Sequence, residues 1–243
     1  MMGLLAAAER ARAFSGWAFD DLDVSYPDGR EPWDYEGECR ERLPAGGRVL
    51  DLGTGGGEVF ARIVAGIAAQ AAASEEWRVN APVAYRRLRP LGVPVVRADS
   101  RRLPFGAGVF DTVLSRHEAI APAEVDRMLA PGGLFVTQQV FDSWQELRPF
   151  FPRQTVHPPH EREYREWFEA AGYAVTSREC RYRSVFATLE ELVFNLLVAP
   201  WEIPGLDVEE DLDALLALER GLRTGRGIEL TEGRYLLVAM KPG

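Results

Sequence analysis

Four glycines within five positions, Gly53 and residues 55–57, come directly after a short strand-like run at residues 48–52. Apolar residues then recur at helical spacing between residues 59 and 67, which predicts a strand, a tight turn and an amphipathic helix. Glycine loses more backbone entropy on folding than any other residue, and a plain turn needs only one or two. Glycines also let backbone N–H groups approach a ligand, beside the free N–H groups of a helix start. The segment predicts a site for a nucleotide-like ligand, and a merely tight turn is the alternative.

Acidic residues on both sides of this turn indicate the charge of the ligand. Glu58 stands where the dinucleotide-binding fingerprint has its third glycine, and Asp51 lies two residues before the first glycine. Both carboxylates would repel a pyrophosphate but suit a positively charged ligand such as S-adenosylmethionine (SAM), which carries a sulfonium and an ammonium group. The segment resembles the first motif of the class I SAM-dependent methyltransferases, an acid two residues before a G-x-G-x-G turn. The matching residues are Asp51, Gly53, Gly55 and Gly57.

A second acid follows the next predicted strand, residues 68–74. In α/β nucleotide-binding folds, an Asp or Glu about 20 residues past the glycine turn accepts hydrogen bonds from the ribose. Glu75 lies 22 residues after Gly53, and we expect it to hold the ribose. The alternatives are a solvated acid at a strand end, or Glu76 in the same role. Trp77 is expected to cover the adenine.

Further segments carry the resemblance. Residues 98–105, leading to Phe110, closely resemble the adenine loop of the type 11 methyltransferases, which implies that Asp99 stands beside the adenine amino group and that Ser100 contributes a backbone donor. Residues 129–133 fit the Leu-x-Pro-Gly-Gly segment that commonly precedes the fifth strand of this class. Thr54, in the glycine turn, and Ser115, on the fourth strand, are also expected to contact the donor.

Catalytic residues are expected just after the fourth strand, because ligands of open α/β sheets bind outside the carboxyl ends of the strands. His117 is the candidate general base, since an imidazole can be neutral at pH 7 and accept a proton. It could instead orient a loop or bind the methionine part of SAM. Glu118 is the second catalytic candidate, either as the base or only as a helix acid.

Candidate acceptor contacts come from two later segments. Gln138 and Gln139 lie at the end of a predicted buried strand, where unpaired amides are costly, so Gln138 is expected to face the substrate. Trp201 joins two predicted inserted helices and offers a flat wall for an acceptor, with core packing as the alternative. His157 and His160 are separated by two prolines and have no cluster of further ligands, so no metal is expected.

Length and composition bound the architecture. A chain of 243 residues, 47% hydrophobic, can form one large α/β domain. We expect an N-terminal cap or lid at residues 1–46 and a SAM-binding domain at residues 47–243, with a helical insertion at residues 188–225. Strands that alternate with helices favour a parallel sheet with helices on both faces. The resemblance implies a Rossmann-like, seven-stranded, mostly parallel sheet whose last strand is antiparallel.

The sequence therefore predicts a SAM-dependent methyltransferase that acts on a small-molecule acceptor, by O-, N- or C-methylation, and releases S-adenosylhomocysteine (SAH). A net charge of −9 argues against nucleic acid as a partner. We expect a cytoplasmic protein without membrane contact, because the two cysteines are far apart, the first apolar run is short and no segment reaches transmembrane length. A monomer or homodimer is also expected. The alternatives are a non-catalytic SAM- or SAH-binding protein and, with less support, an NAD(P)-dependent oxidoreductase.

Overall fold

The computed structural model describes residues 1–17, 19, 21–67, 69–158 and 160–243. One sheet of eight strands runs through the described part of the chain. In chain order the strands are β1 (Val24–Ser25), β2 (Arg48–Leu52), β3 (Gln70–Ser74), β4 (Val95–Val96), β5 (Phe110–Arg116), β6 (Leu129–Val140), β7 (Ala174–Phe186) and β8 (Ile228–Met240).

The strand order across the sheet is β1-β7-β8-β6-β5-β2-β3-β4. Five adjacent strands are parallel to one another, in the sheet order β6-β5-β2-β3-β4. Strand β8 is antiparallel to both β6 and β7. The mostly parallel, Rossmann-like sheet with an antiparallel last strand is thus confirmed. The count differs from the expected seven, because Val24 and Ser25 pair antiparallel with the end of β7 and add an eighth strand.

Eight α-helices surround the sheet in the described residues. They are α1 (Met2–Ala13), α2 (Tyr35–Arg42), α3 (Glu58–Val64), α4 (Ala81–Leu88), α5 (Pro122–Met128), α6 (Glu161–Ala170), α7 (Leu189–Val198) and α8 (Leu212–Leu222). Side chains alternate across the sheet, so that Leu50 packs in one apolar cluster with α5 and α6 while Val49 packs in the opposite cluster with α3 and α4. The central strands are therefore covered on both faces.

The N-terminal segment and the helical insertion share a third apolar cluster. Leu4 and Ala8 of α1 are buried in it, and the Arg10 guanidinium lies 3.9 Å from the Phe194 ring centre of α7. The Arg10 side chain also forms a 2.8 Å ion pair with Glu191. Helix α1 therefore packs on the insertion and β1 extends the sheet. Closure of the expected cap, residues 1–46, over the site stays a prediction.

Several element bounds differ from the sequence expectations. The sequence indicates a strand that opens at residues 173–177 and a last strand at residues 235–240, but β7 and β8 are 13 residues each, because one face of β7 is exposed and carries charged residues. Thr188 with Glu191 predicts a helix cap, and the Thr188 hydroxyl accepts the Glu191 backbone N–H at 3.3 Å. Asp207 with Glu210 predicts a second cap, but the Asp207 side chain closes a turn and α8 begins only at Leu212. The expected strand start at Ala68 lies outside the described residues.

Among the described residues, no helix combines the length and the apolar character needed to cross a membrane.

Candidate functional site

The glycine turn lies between the end of β2 and the start of α3. Gly53, Gly55 and Gly57 have φ angles of 61°, 62° and 78°, a region that side-chain-bearing residues rarely adopt. A Cβ on Gly53 would lie 2.5 Å from the Glu118 side chain, and one on Gly55 would lie 3.3 Å from Trp17. The unusual glycine density therefore has a structural cause, since both the backbone conformation and the close approach of neighbours require it.

Glu75 links this turn to the end of β3. Its two carboxylate oxygens accept hydrogen bonds from the backbone N–H groups of Gly55 at 2.7 Å and Trp77 at 2.8 Å. Each carboxylate oxygen can accept a second hydrogen bond, so the expected ribose contact is compatible with this arrangement and stays a prediction. Its neighbour Glu76 is exposed. Glu75, not Glu76, is the residue that the fold places against the turn.

Three carboxylates converge on the turn, and we call Asp51, Glu75 and Glu118 the acidic side of the site. Burial raises the pKa of Asp51 to about 7, and the charges of Glu75 and Glu118 add to this effect. Burial likewise raises the pKa of Glu118 to about 7, with Glu75 among the charges that add to it. Acids that resist ionisation for these reasons are stabilised as carboxylates by an incoming cation. The acidic side therefore fits a positively charged ligand.

The remaining donor candidates lie around this edge of the sheet. The Ser74 hydroxyl, fully buried at the end of β3, has no hydrogen-bond partner in the described part of the chain. Ser100 and Ser115 are fully buried as well. The Thr54 N–H donates to the Ser74 carbonyl at 2.9 Å. An unpartnered buried hydroxyl beside the glycine turn fits a polar ligand at this edge.

Asp99, expected beside an adenine, is partly exposed and paired locally. Its two carboxylate oxygens accept hydrogen bonds from the Arg101 guanidinium at 2.9 and 2.8 Å. The Arg101 backbone N–H donates to the same side chain at 2.8 Å. Contact between Asp99 and an adenine stays a prediction, and it requires the carboxylate to be shared with Arg101 or released from it.

Three tryptophans from distant segments meet beside the glycine turn. The Trp17 and Trp201 rings stack with centres 5.6 Å apart, and Trp77 packs edge-on against both at 6.2 and 5.6 Å. Trp17 is held there because its backbone N–H donates to the Glu58 carboxylate at 3.3 Å. The N-terminal segment, the end of β3 and the insertion therefore close this edge together. The expected contacts of Trp77 with adenine and of Trp201 with an acceptor stay predictions.

The Glu58 carboxylate, which from the sequence suits a positively charged ligand, has partners within the protein. Besides the Trp17 N–H, it forms a 3.2 Å ion pair with Arg87 of α4. Glu58 therefore holds the N-terminal segment against the turn, and its charge is balanced within the protein.

His117 and Gln138 lie on the other side of the β5 end. The Trp33 indole N–H, which can only donate, points to the Gln138 amide oxygen at 2.7 Å. The amide nitrogen must then face the Glu31 carboxylate at 3.3 Å and His117 Nε2 at 3.4 Å. Since this nitrogen also only donates, His117 Nε2 is the accepting nitrogen and the imidazole proton sits on Nδ1. Gln138 itself is fully buried, so its direct contact with substrate stays a prediction.

Three arginines near His117 had no role assigned from the sequence, although Arg116 directly precedes His117 in the polar segment after the fourth strand. We call Arg30, Arg116 and Arg234 the basic side of the site. Arg30 lies on the N-terminal segment, Arg116 ends β5, and Arg234 lies on β8. Burial lowers the pKa of His117 well below its usual value, and the charges of all three arginines lower it further. The His117 backbone has a φ of 60°, an uncommon conformation that concentrates at functional sites. His117 is therefore neutral near pH 7.

The other two histidines form local pairs. His157 contacts Glu202 at 2.9 Å, and His160 contacts Glu163 at 2.8 Å, while the intervening Pro159 lies outside the described residues. No group of three or more His, Cys, Asp or Glu side chains with the arrangement of a metal site occurs in the described ranges.

The chain resembles a known family in sequence and solved structures in fold. A family model for a methyltransferase domain matches residues 36–178, more than half of the chain. The matched range contains the glycine turn, the whole acidic side, and His117 with Gln138. No curated protein matches this chain in sequence.

Solved structures share the fold at low sequence identity. YcgJ of Bacillus subtilis is 17% identical, with a TM-score of 0.63 over 86% of this chain and 98% of that chain. The [4+2]-cyclase SpnF is 17% identical, with a TM-score of 0.60 over 99% of this chain and 94% of that chain. Phosphoethanolamine N-methyltransferase 2 of Haemonchus contortus, solved with SAM, is 16% identical, with a TM-score of 0.57 over 87% of this chain and 53% of that chain.

Proposed function

This chain belongs to the methyltransferase-domain family, and on that premise we propose that it transfers the methyl group of SAM to a small-molecule acceptor. The observation that carries the proposal is the acidic side of the site: Asp51 and Glu118, both with a pKa of about 7, meet at a turn of left-handed glycines. Such carboxylates favour a cationic ligand over a pyrophosphate. The oxidoreductase alternative has no comparable support.

The residues of the turn would bind the donor as follows. Asp51 would face its positive charge, Glu75 would accept from its ribose hydroxyls, and Ser74 offers a free hydroxyl. Thr54 and Ser115 stay candidate contacts. Bound SAM supplies a methyl group that moves when an acceptor lone pair forms a bond to the methyl carbon, while the electrons of the S–C bond stay on sulfur and give SAH. The protein contributes mainly alignment of the two reactants, which is the largest effect available to such a transfer.

His117 and Glu118 would take different parts, because they lie on opposite sides of the β5 end. Glu118 packs against Gly53 and belongs with the donor. His117 is the candidate general base on the acceptor side, where its neutral state suits that role. Its Nε2 accepts from Gln138, so it can take a proton from the acceptor only after this hydrogen bond is released. A base is needed only if the acceptor atom carries a proton that must leave.

The test is calorimetric titration with SAM, SAH and NAD⁺, followed by an acceptor screen that detects SAH. We expect saturable binding of SAM and SAH and none of NAD⁺. Glu75→Ala should weaken SAM binding by tenfold or more, because it removes a carboxylate that both shapes the turn and faces the ligand. Glu76→Ala is the matched control, since this adjacent acid is exposed, and it should change the affinity by less than twofold. Binding of NAD⁺ without SAM would overturn the proposal.

A non-catalytic SAM- or SAH-binding protein is the remaining alternative. The named activity of SpnF, a [4+2]-cyclase, shows that a protein of this fold can carry a different reaction. Release of SAH that requires an added acceptor would exclude this alternative. Tight SAM binding without turnover over a broad panel of acceptors would favour it.

A further inference from the structure

The basic side contains one cation more than its acids balance. Arg234 forms an ion pair with Glu232, and Arg30 pairs with Glu31 at 3.4 Å. Arg116 forms no ion pair with a carboxylate in the described part of the chain. Its Nε is buried without a hydrogen-bond partner, and its guanidinium carbon lies 5.9 Å from the Tyr35 ring centre. An unpaired guanidinium inside a protein is costly, so this position calls for an anionic partner.

A second unpartnered donor lies next to it in the chain. His117 Nδ1 is buried without a partner, and it carries the imidazole proton because Nε2 accepts from Gln138. Arg116 is in register with Gln138 on β6. The network from Trp33 through Gln138 fixes the imidazole. Burial lowers the pKa of Arg116, although the charge of Glu31 opposes this shift. Both residues are partly exposed as a whole, although Arg116 Nε and His117 Nδ1 are themselves buried.

We propose that the methyl acceptor carries an anionic group, a carboxylate or a phosphate, which binds Arg116 and His117 Nδ1–H on the basic side, an assignment that rests on the proposed methyl transfer. A guanidinium matches the planar spacing of two oxyanion oxygens and binds them in a bidentate manner. The anion would neutralise the one unpaired arginine, while Arg30 and Arg234 keep their own carboxylates. His117 then orients the acceptor by donating a hydrogen bond.

The carboxylate of the donor is the competing anion, and the position of Arg116 favours the acceptor. Of the charged groups that act on Arg116, Arg30 and Glu31 precede α2 and Arg234 lies on β8. Arg116 also lowers the pKa of Asp51, so its guanidinium borders the acidic side, while Gly53 lies beyond it at the end of β2. Glu118, two residues after Arg116, already belongs to the acidic side, since its side chain lies against Gly53. An anion at Arg116 would therefore lie beside the donor site, where an acceptor has to stand.

The probes are inorganic phosphate and acetate, titrated at constant ionic strength into protein saturated with SAH. Binding is followed by calorimetry and by the NMR signals of the imidazoles, of which the chain has three. We expect saturable millimolar binding that shifts the His117 signal. Arg116→Gln should weaken this binding at least tenfold, and Arg116→Lys, which keeps the charge but loses the bidentate geometry, should weaken it less. Arg181→Gln is the control, because this arginine has its own partner in Asp142.

The outcomes separate the two proposals. Phosphate that competes with SAH, or an Arg116→Gln variant that loses SAH affinity, would assign Arg116 to the donor carboxylate and overturn the inference. No saturable response in the SAH-loaded protein would also overturn it. If SAH fails to bind while phosphate still binds in an Arg116-dependent manner, the proposed function fails and the anion site stands. Should Arg116→Gln fail to fold, the Arg116→Lys comparison carries the test.

Discussion

The two sides of the site differ in charge and in how the chain supplies their residues. On the acidic side, Asp51 and Glu118 have a pKa of about 7 because burial and neighbouring carboxylates oppose ionisation. On the basic side, burial and three guanidinium groups keep His117 neutral. The two sides meet at the end of β5, where Arg116 and Glu118 are only two residues apart. A few residues at one strand end thus separate a region suited to a cation from one suited to an anion.

This separation has a consequence for the reaction. Methyl transfer converts a sulfonium into a neutral thioether, so the product SAH keeps only its ammonium charge, and the acidic side stabilises it less than it stabilises SAM. An anionic acceptor stays paired with the basic side throughout the transfer. The charges of the two sides would therefore place each reactant without either side reacting itself.

The largest effect expected on the acidic side is the pH dependence of SAM binding. A cation favours the ionised carboxylate, so binding releases the protons held by Asp51 and Glu118, and affinity rises with pH. For a group with a pKa of about 7, the gain between pH 6 and pH 8 is roughly tenfold, and two such groups give up to about a hundredfold. His117 does not contribute, since it is neutral over this range. Calorimetry at pH 6, 7 and 8 measures the slope.

Asp51→Asn should remove about half of this logarithmic slope, and SAH, which lacks the sulfonium, should show a weaker slope than SAM. The stability of the protein without SAM provides a second measurement. A carboxyl pKa that is raised in the folded state stabilises the protein below about pH 4, and this contribution is lost as the pH rises through 7. Asp51→Asn should therefore gain unfolding free energy relative to the wild type between pH 5 and pH 8. A SAM affinity that is independent of pH would contradict the charge assignment.

The next largest effect concerns the glycine turn itself. Gly53→Ala places a methyl group 2.5 Å from Glu118 and imposes a left-handed backbone conformation that costs about 1–2 kcal/mol. We expect SAH affinity to fall by about tenfold or more. Gly108→Ala is the matched control, because Gly108 has a similar φ of 64° but open space around it. It should lose similar stability and keep its SAH affinity. Equal affinity in the two variants would show that the Glu118 contact does not matter.

Sequence patterns indicated Asp51 and the glycine turn because these residues form one continuous motif, whereas Glu118 was expected as a catalytic residue. Asp51 and the glycines lie within seven positions, and each glycine has a backbone reason that can be anticipated. The basic side gave no such signal. Arg30, Arg116 and Arg234 lie far apart in sequence, and an isolated arginine gives no indication of whether a carboxylate will pair with it. Only the strand order brings them together, because the end of β5 lies next to β6, and β8 is the strand beyond β6.

The same limit explains the smaller differences. From the sequence, the charge of Glu58 suits a cationic ligand, but Arg87, which lies on the next helix, α4, forms an ion pair with it. The two-residue strand β1 lacks a pattern of its own, and its place is determined by the free edge of β7. Gln138 was correctly singled out as an unusual buried amide, yet its partners Trp33 and Glu31 come from a segment more than 100 residues earlier.

On the basic side, Trp33→Phe tests whether the tautomer of His117 depends on this network. The change leaves the Gln138 oxygen buried without its donor, which costs about 1–3 kcal/mol of unfolding free energy. The freed amide can then rotate, and the His117 imidazole should populate both tautomers in ¹⁵N NMR spectra. SAH affinity should stay within twofold, since the acidic side is untouched. An unchanged tautomer would mean that Trp33 does not fix the amide.

The smallest expected effect is at the three tryptophans that close the site beside the glycine turn. Trp201 is 43% exposed, so Trp201→Ala removes mainly one ring contact with Trp17 and one with Trp77, each worth about 0.5–1.5 kcal/mol. Leu91→Ala, at an exposed apolar position in the short helix after α4, is the control. If the rings pack over a bound donor, SAH should quench tryptophan fluorescence in the wild type and less so in Trp201→Ala, with SAH affinity reduced by a few-fold. Quenching and affinity that match the wild type would place Trp201 outside the donor site, which leaves its ring free to contact an acceptor.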